Sequence, residues 1–182
     1  MAPNWFIGFP MQVEGLRLPP APRRVRVFVA SDFHVTLGFL GSVQEPEARQ
    51  AWSQIGSFSS FRSVSGSFDR VQALGHPRKP SALSAIVDEG REAMTDMIAE
   101  ARGPLLAAAD APPDDRAPLP HMTLARVQRR AQSAERQEAL RWAEAIDLRG
   151  ISFTAASVAL YTWALDRQER LFRIVEQHAL GP

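Results

Sequence analysis

Cysteine is absent from this 182-residue chain, and of its 21 basic residues only Lys79 is a lysine; the other 20 are arginines. The first absence excludes a disulfide framework, a thiol nucleophile, a cysteine-built zinc site and an iron–sulfur cluster. The second leaves any lysyl Schiff base or lysyl-nucleotide adduct to Lys79 alone, which sits between Arg78 and Pro80 with no adenylation motif around it. Excess charge of either sign is also missing, because 20 acidic side chains reduce the formal total to +1. A general binder of long nucleic acids needs many uncompensated cations along a phosphate track, so that class is disfavoured. No apolar run approaches the roughly 20 residues of a membrane span. Met1-Ala2-Pro3-Asn4 has no basic n-region and no signal-peptide core follows it, so a cytoplasmic protein without membrane association is expected.

What is present reads as an ordinary globular chain, 45% hydrophobic and 23% charged. A chain of this length can bury about 70% of its unfolded surface and needs no staple. It is expected to form a single unit over residues 1–182, built as one domain or as two similar lobes.

Apolar patterning gives short strands over residues 5–9, 25–29, 33–40, 83–87 and 121–124, with a serine-rich β segment over 61–74. Residues 151–161 and 171–178 read as two further strands joined by the charged turn 166–170. Helices are expected from Pro46, around Met94–Ala101, and from a Ser133 cap to Ile146. Gly103-Pro104 is expected to break or kink the second of these. Residues 18–22 and 111–120 hold enough proline to be loops. The order is strand–helix–strand, used twice, with extra strands.

One local echo carries the chemistry. His34-Val35-Thr36-Leu37 recurs as His121-Met122-Thr123-Leu124. From the threonine and leucine content, two of four histidines doing this by chance has odds of about 1 in 30,000. On a strand, residues two apart share a face, so each histidine points the same way as its threonine. The next residue on that face is expected to be Gly38 in one copy and Ala125 in the other, leaving an open floor. Two imidazoles facing each other suit in-line attack at phosphorus, which needs a base on one side and an acid on the other. Threonine hydroxyls can hold the non-bridging oxygens, and Arg126 or the Arg129–Arg130 pair can add a bidentate phosphate contact. Arg126 lies five positions after His121, so strict alternation sends it to the opposite face. It joins the site only if the strand ends, twists or bulges.

These residues resemble the 2H phosphoesterase superfamily, defined by paired H-x-[TS]-x motifs. The segments His34–Gly41 and His121–Arg126 look most like the RNA 2′,3′-cyclic phosphodiesterases, historically labelled 2′-5′ RNA ligases. The resemblance implies an α+β, bilobal 2H phosphoesterase-like fold: two pseudo-symmetric lobes, with antiparallel sheets around a central cleft and helices outside. It implies metal-independent hydrolysis of 2′,3′-cyclic phosphate termini of RNA or small nucleotides to 2′-phosphates, without cofactor; a monomer is the expectation, with the oligomeric state left open. The reverse reaction, 2′-5′ ligation to a 5′-hydroxyl, stays open. Carried over by position, His34 and His121 are the catalytic pair, with His34 as the acid and His121 as the base. Thr36, Thr123 and Arg126 are the phosphate holders. The chain departs from the family in its proline- and arginine-rich segment 10–25, and at Phe172, where the family often has tyrosine.

Plainer readings compete. A non-catalytic nucleotide-binding module on the same fold is the main alternative. A histidine metallohydrolase is weaker, since H-x-T lacks a nearby partner ligand. His76, beside Arg78 and Lys79, is expected in a loop and His178 at the surface. Arg23, Arg24 and Arg26 read as a solvated edge, and Phe39 and Trp163 as core.

Overall fold

The computed structural model describes residues 3–76 and 79–182. Ten strands and three helices follow the chain: β1 (Trp5–Pro10), β2 (Gln12–Glu14), β3 (Val25–Val27), β4 (His34–Gly41), α1 (Glu45–Trp52), β5 (Val64–His76), β6 (Lys79–Val87), α2 (Arg91–Ala108), β7 (His121–Val127), α3 (Ser133–Glu144), β8 (Ser152–Ala155), β9 (Ser157–Trp163) and β10 (Phe172–Ala179). Every pairing is antiparallel, in the order β10-β9-β1-β4-β7-β6-β5-β8-β2, with β3 also against β7. The expected α+β architecture is observed, a curled antiparallel sheet with three helices.

The two motif strands, β4 and β7, are neighbours at the middle of this order. Among the described residues they are bridged at one pair, Val35 with Met122. Beyond that pair the strands part, and β3 takes over the edge of β7 through Val25–Val127, Arg26–Arg126 and Val27–Ala125. β3 and β4 therefore act as one strand interrupted by a detour that contains the 3₁₀ turn Ala30–Asp32. Halves of the sheet on either side of this seam form the two lobes.

Several local expectations need correction. Residues 151–161 are two strands, broken at Ala156; β8 pairs with β5 and β2, while β9 pairs with β1 and β10. The break moves the chain from one lobe to the other, which no periodicity signals. α2 continues through Pro104 to Ala108 instead of ending there. The lost helical hydrogen bond is offset because Leu105 and Leu106 extend the buried stripe of Met94, Met97, Ile98 and Ala101. α3 begins with Gln132 as its cap, in a reciprocal pair with Glu135, one residue before the expected Ser133. No helix among the described residues is long and apolar enough to cross a membrane.

Candidate active site

The first seven residues of β4 and the seven of β7 share one burial pattern. A partly exposed residue alternates with a buried one, then two buried residues come in succession, then an exposed one. The cause is a β-bulge in the same place in both motifs. Along β4, Gly8 pairs with Thr36 and Ile7 with Gly38, leaving Leu37 as the extra residue. Along β7, Ser84 pairs with Thr123 and Leu83 with Ala125, leaving Leu124 extra. A bulge resets the alternation. Gly38 and Ala125 thereby fall on the buried face, contrary to expectation; a Cβ on Gly38 would touch Leu105 of α2 at 3.8 Å.

The same resets bring Phe39 and Arg126 onto the face of the histidines and threonines. That resolves the difficulty with Arg126: the strand does bulge. Phe39, expected in the core, is instead 54% exposed, and it holds the position in the first motif that Arg126 holds in the second. Antiparallel register around Val35–Met122 sets His34 opposite Thr123 and Thr36 opposite His121. Two triads, His34/Thr36/Phe39 and His121/Thr123/Arg126, thus meet about a local two-fold axis.

Each imidazole is fixed in the same manner. His34 Nδ1 lies 2.6 Å from the carbonyl oxygen of Asp32, and His121 Nδ1 lies 2.6 Å from that of Leu119. A carbonyl only accepts, so Nδ1 carries the hydrogen in both rings and Nε2 is the nitrogen left for chemistry. The two surroundings differ. His34 lies among aromatic rings, with Phe6 at 4.6 Å and Tyr161 and Phe172 at 5.4 Å between centroids. Burial there, opposed by the carbonyl bond and helped by the nearby His121 and Arg126, pulls its pKa down to about 4. His121 is displaced in the same direction by burial, then by Arg126 and Arg116. Both rings are neutral at pH 7 in the free protein. Arg126 is solvent-accessible on the cleft face, yet surrounding protein still lowers its guanidinium below the ordinary arginine value.

Thr123 Oγ1 is 3.1 Å from Ser84 Oγ on β6, a contact with a buried serine that holds its rotamer. A cavity of about 520 Å³ opens from Thr36, His121 and Arg126 towards Phe39, Arg102 and Arg116. Within it Asp114 pairs with both arginines and so cancels much of their charge; Arg116 holds that carboxyl down at about 2. Arg129 and Arg130 lie in an exposed turn past β7 and do not line the cavity. Arg23 and Arg24 lie near Glu135; Arg23 is exposed, as expected of a solvated edge, whereas Arg24 is half-buried. His76 ends β5, Arg78 lies outside the described residues, and His178 is exposed.

Sequence reading missed Asp32. Its carboxylate is buried and accepts three backbone hydrogen bonds at 2.9–3.0 Å, two from Leu171 N–H and one from Phe172 N–H. One residue thus offers its carbonyl to His34 and its side chain to the start of β10, which brings Phe172 against the His34 ring. An acidic residue two positions before the motif histidine was the available signal. Among the described residues no cluster of three or more histidine, aspartate or glutamate side chains could hold a metal.

A curled antiparallel sheet with two bulged H-x-T strands back to back at its centre is the fold of a 2H phosphoesterase. A family model for the 2′-5′ RNA ligase superfamily matches residues 12–167, and the chain belongs to that superfamily. Phosphodiester hydrolysis is the chemistry of the class. No curated protein matches in sequence. Among solved structures, E. coli LigT complexed with 3′-AMP is similar over 100% of both chains, with a TM-score of 0.67 at 15% identity. TT0787 of Thermus thermophilus matches over 97% of both, with a TM-score of 0.68 at 17% identity. At such identities the likeness establishes the fold.

Proposed function

We propose that this protein hydrolyses 2′,3′-cyclic phosphate termini of RNA or small nucleotides to 2′-phosphates, without a metal, using His34 and His121 as acid and base. The observation that carries this reading is the pair of Nε2 atoms presented from opposed strands, each ring locked through Nδ1 to the carbonyl two residues before it. In-line opening of the ring requires groups on two sides of one phosphorus, and the local two-fold supplies them. The 3′-AMP bound by E. coli LigT supports a nucleotide as the ligand type.

In this reading His121 Nε2 accepts a proton from water as the water oxygen bonds to phosphorus. The P–O3′ bond breaks, and His34 Nε2–H protonates the departing O3′. One water is consumed, and the products are a 2′-phosphate and a 3′-hydroxyl. Thr36, Thr123 and Arg126 hold the non-bridging oxygens, whose charge grows on the way. His34 is neutral before substrate arrives, so the acid role requires a proton gained on binding. The apolar ring that depresses its pKa also strengthens its attraction to a bound phosphate anion, which loads it with that proton.

A chemical rescue tests the pair. His34→Ala and His121→Ala should each slow cyclic-phosphate opening at least about 100-fold. Replacing O3′ by sulfur, a leaving group that needs no proton, should restore the His34→Ala rate and leave His121→Ala slow. Wild-type rates in either variant on the oxygen substrate would overturn the reading.

A further inference from the structure

Arg26 differs from its neighbours Arg23 and Arg24. It stands directly opposite Arg126 across the β3–β7 pair, and directly opposed residues of antiparallel strands share a face. It therefore belongs to the cleft face. Its Nη2 donates to the carbonyl oxygen of Arg167 in the β9–β10 connection, so this hydrogen bond reaches from β3 to the far half of the sheet. The Arg167 guanidinium lies 4.4 Å above the ring of Trp163. Trp163 pairs with Phe172, the residue packed on His34, so it too faces the cleft.

Three cations thus line up on one side of the histidines, and among the described residues none pairs with a carboxylate, whereas Arg102 and Arg116 across the cleft do. Like charges set opposite each other on adjacent strands are destabilising unless an anion lies between or beside them. Arg126 is assigned above to the reacting phosphate, which leaves Arg26, held on the Arg167 carbonyl, and Arg167, held on the Trp163 ring, as neighbouring cations without a carboxylate among the described residues.

We propose that Arg26, Arg167 and Trp163 form a second subsite, which takes the phosphodiester linking the terminal nucleotide to its 5′ neighbour and stacks that neighbour's base on the guanidinium plane of Arg167, itself laid on Trp163. The preferred substrate is then an RNA end of at least two nucleotides. This rests on the function proposed above. The net charge of +1 is compatible, since two phosphates are gripped and not a long strand.

The test compares kcat/KM for a nucleoside 2′,3′-cyclic phosphate, its 5′-phosphorylated form, and a dinucleotide ending in the same cyclic phosphate. A charge-assisted contact predicts a gain of at least about tenfold for the dinucleotide over the nucleoside. A gain shared by the 5′-phosphorylated form assigns it to the phosphate; a gain confined to the dinucleotide assigns it to stacking on the Arg167–Trp163 pair. Arg26→Ala and Arg167→Ala should return the ratio towards one, while Arg26→Lys keeps part of it. Should the alanine variants fail to fold, the wild-type salt dependence decides, because one more bound phosphate steepens the slope by about 0.7. A ratio near one in the wild type, or a ratio untouched by both substitutions, overturns the subsite. If no cyclic phosphate is opened at all, the function proposed above fails, and the subsite is then read by anisotropy. A labelled dinucleotide 2′-phosphate must bind more tightly than the mononucleotide, and equal binding refutes it.

Discussion

Lowering the pH should destabilise this protein through His34, and the size of the effect follows from its surroundings. In the unfolded chain the imidazole has its ordinary pKa of 6.5; in the folded cleft, among Phe6, Tyr161 and Phe172, it is held at about 4. Between those values the unfolded state binds a proton that the folded state refuses. Stability is therefore complete above pH 6.5 and is lost as pH falls towards 4, never the reverse. The gap between 6.5 and about 4 corresponds to about 3 kcal/mol, a ceiling because the ring is partly open to water in the cleft. Urea melts of the wild type and His34→Gln, taken from about pH 8 to about pH 4.5, isolate the contribution, since His121 acts with the same sign in both proteins. The difference in stability between the two should shrink or invert by about 2–3 kcal/mol across that range. Histidine-selective NMR of the folded protein should show one ring titrating near 4. A His34 resonance titrating at or above its ordinary 6.5, or parallel stability curves for the two proteins, would refute the account of its environment.

Three substitutions probe the frame of the site. A Cβ at Gly8 would sit 2.7 Å from the Val35 carbonyl oxygen, so Gly8→Ala must push β1 from β4 at the bulge; stability should fall by about 1–3 kcal/mol in a urea melt, with activity falling alongside. Asp32→Ala strands two buried N–H groups and should lower stability by about 3 kcal/mol, with hydrogen exchange at Leu171 and Phe172 accelerating most. Phe39→Ala removes the exposed ring that lines the cavity with Arg126 and should raise KM for a cyclic nucleotide at least about fivefold with little change in kcat, as expected of a surface that stacks the base; an unchanged KM would refute that role.

Much of the site was legible because its signal is local and duplicated. His34, Thr36, His121 and Thr123 follow from strand alternation, and the structure places all four on one face. The two bulges were not legible. They move Gly38 and Ala125 inward and Phe39 and Arg126 outward, and a one-residue insertion in a ladder leaves no mark in hydrophobic pattern alone. Phe39 in particular read as core because an aromatic on a strand usually is. The role of Asp32 was hidden although its place beside the motif was a signal: its side-chain partners are 139 and 140 positions away, at the start of β10. The break at Ala156 was equally hidden, since both halves of residues 151–161 are apolar strand and only the tertiary pairing separates them. Pro104 shows the opposite case: the helix break it suggested is overridden by the buried stripe of α2.

The most direct measurement is phosphorus NMR of a dinucleotide 2′,3′-cyclic phosphate incubated with the protein in EDTA. A two-histidine site opening the P–O3′ bond predicts conversion to a 2′-phosphate at a rate EDTA does not change. A 3′-phosphate, a reaction abolished by EDTA, or a substrate bound but left intact would contradict it.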